Sequence, residues 1–455
     1  MSKSVVMTQG KPVKLLLSFA LPLMLGNLFQ QMYTVVDTAI VGRGVGLDAL
    51  AALGTIDWLN WMFLGIATGF TQGFSVKVSQ KYGEGDMEGL HHVIGQSAFL
   101  AASTAALVAV AMQFLLPVFL FFLRIPEEII GMAEQYMRIM LGGFPLVMLY
   151  NFGAAVLRAV GDSKTPLKAM IIASVTNIVL DCVAVFVLKW GIAGAAAATI
   201  FSQGVSGTIC FSKIRRTEAL RFGRKDMKSN GASCKTLLGL GAPIAAKNTI
   251  VSIGGMAIQT IVNGFGMSFI AGFTASNKLY GLLEIATLSY SFAVTTYVGQ
   301  NFGAGKYDRI KSGMKAATLL SIATSLVIMV LLIVFGRPLT MLFISADSAE
   351  MMKAAGDAAY LYLVYMAVFL PVLYMLYAYQ AALNGTGNTM ASVVSGVIQL
   401  FLRVGISIIV GLTGYENGIF IAEVSAWCGG ALYMVLKYYR SVHKAILVSQ
   451  DSFLR

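Results

Sequence analysis

Long apolar runs recur along the whole chain, near 14–40, 50–76, 93–121, 135–157, 167–188, 191–213, 237–264, 269–298, 314–335, 357–382, 391–412 and 418–438. Roughly 20 helical residues cross the about 30 Å of a bilayer's hydrocarbon. Inside lipid every backbone N–H and C=O must be bonded within the structure, which makes helix the reading for runs of this length. The expected fold is therefore an all-α polytopic membrane protein with about twelve transmembrane helices. Composition agrees, with 57% apolar and 12% charged residues and a mean hydropathy of +0.76, values foreign to soluble domains.

The chain also repeats itself. VSQKYGEG at 78–85 returns as VGQNFGAG at 298–305, 220 positions later. Pro22 and Pro243 lie 221 apart, as do Pro117 and Pro338, while Pro145 and Pro371 lie 226 apart. LRAVGDSKT at 157–165 resembles LNGTGNTMA at 383–391. This divides the chain into an N-lobe (1–213), a basic linker (214–235) and a C-lobe (236–455), each lobe with six helices. An even number of spans returns each lobe to the same side, so their pseudo-twofold axis lies along the membrane normal and a cleft separates them. Gly83, Gly85, Gly303 and Gly305 read as helix terminators in left-handed caps, since no strand precedes them as in a phosphate loop. Gly65, Gly69 and Gly73, four apart, read as a close-packing stripe.

The net charge of +12 is unevenly placed. Eight cations fall between Lys213 and Lys235 against only Glu218 and Asp226. Other basic segments hold Lys3, Lys11 and Lys14, then Lys306, Arg309, Lys311 and Lys315, then Lys437, Arg440, Lys444 and Arg455. The alternate loops mix Arg43, Arg124, Lys189 and Arg337 with Asp48, Glu127, Glu128, Asp347 and Glu350. The positive-inside rule puts both termini and the linker in the cytoplasm of a cell bounded by its inner (plasma) membrane. Basic loops of this kind set topology and touch anionic lipid; no nucleic-acid recognition module accompanies them. The first apolar run is too long for a signal peptide and should remain as the first helix. Cys182, Cys210, Cys234 and Cys428 lack paired spacing, so no disulfide frame or zinc site is implied. His91, His92 and His443, without an HExxH or GxSxG pattern, supply no catalytic set. An enzyme and a bound cofactor are both unexpected.

Charges inside spans carry more information, because lipid penalises them unless they face a cavity or a partner. The first half has Asp37, Asp57 and Asp181, with Asn177 one turn before Asp181 on the same helix face. Asp37 near the end of the first span, Asp181 in the second half of the fifth and Thr199 early in the sixth fall at similar depths. Two carboxylates, an amide oxygen and a hydroxyl suit a hard cation such as Na+, or a carboxyl pair in which one member holds a proton. The competing reading is a polar plug that knits three helices together.

VVDTAIVGR, VLRAVGDSKTP, TNIVLD followed by GIAGAAAAT, the early LP and AP prolines and the paired glycine phrases together resemble the multidrug and toxic compound extrusion (MATE) family of secondary transporters, over nearly the whole chain. The resemblance implies a two-lobed antiporter that expels small organic compounds through alternating access, driven by inward Na+ or H+ flow. It assigns cation coupling to Asp37, Asn177, Asp181 and Thr199, and a bending role to Pro22. The chain is expected to work as a monomer.

The second half departs from a simple cation exporter. It buries Lys247, Lys278, Glu284, Arg403 and Glu423, and places Arg403 222 positions after Asp181. These form either interhelical salt bridges or a cleft surface for an anionic or zwitterionic group. A lipid-linked-oligosaccharide flippase of the same superfamily shares the architecture, but the N-lobe acids argue against it; a channel fits repeated lobes poorly.

Overall fold

The computed structural model describes residues 6–123, 125–228, 230–341, 344 and 348–453, with side chains except at 267, 278 and 442–453. Lys3, Arg124, Asp347 and Arg455, and the side chains of Lys278, His443 and Lys444, therefore lie outside the described residues. Among those described, thirteen α-helices and no strand follow one another: α1 (Pro12–Gly44), α2 (Leu47–Glu84), α3 (Met87–Phe122), α4 (Glu127–Gly142), α5 (Phe144–Ala159), α6 (Lys164–Cys182), α7 (Gly191–Arg216), α8 (Gly231–Val262), α9 (Met267–Gly303), α10 (Tyr307–Met341), α11 (Ala349–Gly385), α12 (Met390–Thr413) and α13 (Gly418–Phe453). Ten have the length and apolarity of single spans, and α4 with α5 forms a bent eleventh. The 37-residue α9 is long enough to cross as well, although it carries Glu284 in its middle and is not among those ten; counted with them it brings the number to about twelve.

The fourth span differs from the sequence expectation of one helix over 135–157. It breaks at Gly143, where α4 and α5 meet at 49°. Pro145 cannot donate a helical hydrogen bond, and a Cβ on Gly143 would lie 2.3 Å from the Ile200 side chain. Its repeat partner Pro371 sits inside the unbroken α11, so the proline alone is insufficient; the missing side chain two positions earlier lets Ile200 seat against the bend.

Apolar side chains gather in two large clusters, one running from Ile40 to Leu237 and one from Ile258 to Tyr438. The first half of α1 does not join the first cluster. Leu16, Phe19, Ala20 and Leu23 pack into the second, while Ile40 and Val41 pack into the first. One helix is thus rooted in both lobes.

The repeated phrase packs against itself at the basic end. A Cβ on Gly83 would lie 2.0 Å from the Gln300 carbonyl oxygen, and one on Gly303 would lie 2.0 Å from that of Gln80. These two glycines are helical contact points, which corrects the expectation that they cap. Only Gly85 and Gly305 take left-handed φ, at 77° and 67°. Beside them Gln80 Nε2 donates to Gly385 O at 3.0 Å, and Gln300 Nε2 donates to Ala159 O at 2.8 Å. Each glutamine therefore ties its own lobe to the end of a helix in the other. Further along, Gly69 and Gly73 bring α2 onto α8, where added Cβ atoms would stand 2.4 Å from Ala245 Cα and 2.3 Å from Gly241 Cα. The glycine stripe is the seam between lobes.

Candidate functional site

Near the end of the bundle opposite the basic linker, α1, α6 and α7 converge. Asn177 Nδ2 on α6 donates to Thr199 Oγ1 on α7 at 3.4 Å. The carboxyls of Asp37 on α1 and Asp181 on α6 approach to hydrogen-bonding range of each other. No described N–H or O–H satisfies Asp37 Oδ1, either Asp181 oxygen, Asn177 Oδ1 or Gln203 Oε1, five acceptors sealed from solvent. Asp181 and Asn177 are 0% and 1% exposed, out of reach of bulk solvent. Unmatched buried oxygens are costly, and every unmatched atom in this set is an acceptor. The set fits a small cation, or a proton shared by the carboxyls.

Local structure explains the aim of these groups. α6 widens after Cys182 into a π-helical turn over Val183–Val187, a deviation that often accompanies functional positions. That turn receives the end of α1, since a Cβ on Gly44 would lie 2.3 Å from Val185 Cγ1. Asp37 is held against α6 in this way.

A second polar cluster lies in the other lobe. Arg403 Nη2 on α12 meets Glu423 Oε1 on α13 at 2.6 Å, and Trp427 Nε1 donates to the same oxygen at 3.1 Å. Glu284 Oε1 on α9 accepts from Tyr280 OH at 2.7 Å and from Tyr377 OH at 3.3 Å. Lys247 on α8 points its Nζ at the Tyr377 ring, 5.1 Å from the centroid. The structure brings Lys247, Glu284, Arg403 and Glu423 into one neighbourhood; the side chain of Lys278 lies outside the described residues.

The MatE family model matches twice, over 22–183 and 243–409, once in each half. The chain belongs to the MatE family. A probable multidrug resistance protein, YpnP of Bacillus subtilis, is 30% identical over 94% of this chain and 95% of its own. An FAD transporter of Shewanella oneidensis is 28% identical over 86% of each chain. In fold, a MOP superfamily transporter from Pyrococcus furiosus, described by the reverse polarity of its binding pocket, superposes with a TM-score of 0.90 at 23% identity, covering 97% of this chain and 98% of that one. As a MatE protein the chain is a multi-pass membrane transporter of the multidrug efflux type and not an enzyme, and the family needs no cofactor.

Within this MatE protein, sequence reasoning missed Gln203. The available signal was its position one turn after Thr199, which places both on one face of α7. Asp57 lies exposed on α2 and is not among the unmatched buried oxygens. Pro22 lies inside the continuous α1, within the stretch from Leu16 to Leu23 that packs in the second lobe; beyond it Asn27 still donates to Ser289 on α9 at 3.2 Å.

Proposed function

We propose that this MatE protein is a sodium- or proton-coupled antiporter of the plasma membrane that exports organic, amphipathic compounds by alternating access as a monomer, with lobes at 1–213 and 236–455. The observation that carries this reading is the set of five unmatched acceptor oxygens on α1, α6 and α7. Only two carboxylates contribute, and no group of three or more His, Cys, Asp or Glu converges among the described residues, which favours a singly charged ion over a divalent one.

The coupling follows from α1. An ion or proton bound between Asp37 and Asp181 draws the end of α1 toward α6 and α7, while the start of α1 remains in the other lobe's core. Occupancy thus acts on the relation between lobes. Pro22, which removes one helical hydrogen bond, is where α1 yields. The cross-lobe bonds of Gln80 and Gln300 support a state closed at the basic end. The FAD transporter among its relatives indicates that the cargo need not be cationic.

In everted vesicles, an imposed sodium or proton gradient should drive uptake of ethidium or norfloxacin, and uptake should vanish when the gradient is collapsed. Gradient-independent equilibration would instead indicate a channel. With the basic linker in the cytoplasm, a single-cysteine Lys225→Cys variant should resist an impermeant maleimide added to intact cells and react after permeabilisation. Labelling of intact cells would invert the topology.

A further inference from the structure

The two lobes lack opposite things. In the N-lobe site the unmatched buried atoms are acceptors; in the C-lobe cluster the unmatched buried atom is a donor, Arg403 Nε, and the Lys247 ammonium stands beside it. Lys247 is only 6% exposed, and no described group forms a hydrogen bond or ion pair with it. The nearby charges are otherwise engaged: Glu423 is held by Arg403 and Trp427, and Glu284 by two tyrosine hydroxyls. Lys247 cannot simply retract, because its stem packs on α12, where a Cβ on Gly396 would lie 3.2 Å from Lys247 Cγ. An ammonium on a largely buried stem, with no ion partner among the described residues, is stabilised by whatever anion can reach it.

The surroundings also select a shape. Tyr280 stacks on Trp427 with centroids 5.9 Å apart and planes 16° from parallel, and the Tyr377 ring faces the ammonium. Tyr280, Glu284 and Tyr377 are half-buried, so the cluster keeps an accessible side. Flat aromatic faces beside a cation receive planar rings that carry a negative group.

We propose that Lys247 anchors the carboxylate or phosphate of an anionic substrate whose planar aromatic body lies against the half-buried Tyr280 and Tyr377, with Trp427 backing Tyr280. This rests on the export reading above and adds the substrate class to it.

Flavin mononucleotide and riboflavin share one ring system and differ by a phosphate, so they isolate the charge. The purified protein in detergent should bind the mononucleotide at least about tenfold more tightly than riboflavin, the scale of a desolvated charge-assisted contact. Lys247→Met should bring the two flavins to equal affinity, and Lys247→Arg should retain most of the preference, each variant being confirmed as monodisperse by gel filtration. If Lys247→Met does not fold, the parent's preference between the two flavins and its retention in Lys247→Arg decide. No mononucleotide binding, equal binding of the two flavins, or an undiminished preference in a folded Lys247→Met protein overturns the proposal. No gradient enters this measurement, so loss of ion coupling would leave it readable, and equal flavin binding would leave coupled export standing.

Discussion

Asp37→Asn and Asp181→Asn should each reduce gradient-driven efflux to the level of vesicles without the protein, while substrate affinity in detergent stays within about fivefold of the parent, the lower edge of ordinary allosteric coupling. A ligand shifts a conformational equilibrium only through unequal affinity for the two states. Under the proposed function, a coupling ion would obtain that inequality from oxygens on three helices that separate or converge together. Substituting either carboxylate removes a charge and places an N–H donor among unmatched acceptors, so the seat no longer favours a cation or a shared proton. The cleft and the C-lobe cluster are untouched, which is why binding persists. Any sodium- or pH-induced release of bound substrate should disappear with coupling. Gln203→Leu removes one neutral oxygen and should weaken the ion dependence without abolishing it, and Asp57→Asn should do little. Full gradient-driven efflux by the Asp37 variant would remove the assignment. A large loss of substrate affinity with coupling intact would instead move Asp37 into the substrate site.

The sequence displays the parts of this molecule that depend on short range. Spans are legible because lipid dictates their length and apolarity, and the two-lobe plan is legible because VSQKYGEG and VGQNFGAG recur at one spacing. Asp37, Asn177, Asp181 and Thr199 could be grouped because polar residues at equal depth in lipid seek one another. What sequence cannot display is the partner of a residue some 200 positions away. Gly83 looks like a cap and turns out to be the seat for Gln300; Gln80 carries no visible signal for Gly385, 305 residues later. The bend at Gly143 depends on Ile200 standing opposite it, and α1 belongs to both cores because of packing with residues beyond Ile258. The five charged residues of the C-lobe were visible, yet only the geometry of the four whose side chains are described separates the paired cation from the unpaired one.

That separation gives the second large expected effect. Arg403 and Glu423 meet at 2.6 Å with side chains 7% and 11% exposed, so each has surrendered solvent for the other. Removing one partner of such a pair leaves an uncompensated buried charge, at a cost of about 3–5 kcal/mol. Arg403→Met should therefore cut the yield of monodisperse protein sharply, because Glu423 then keeps only the Trp427 N–H. Neutralising the acid as well, in Arg403→Met/Glu423→Gln, should recover much of that yield, since a neutral pair needs no countercharge, and the non-additivity measures the coupling between them. Lys247→Met should behave differently. It leaves Glu284 with its two tyrosine donors and should fold in near-parent yield while changing what the protein binds. With Glu423→Gln completing the cycle, the comparison is read from gel-filtration yield and thermal stability of the five proteins. A stable Arg403→Met variant would show that the Arg403–Glu423 pair does not hold α12 to α13, and Arg403 would then join Lys247 as a candidate contact for the substrate's anionic group.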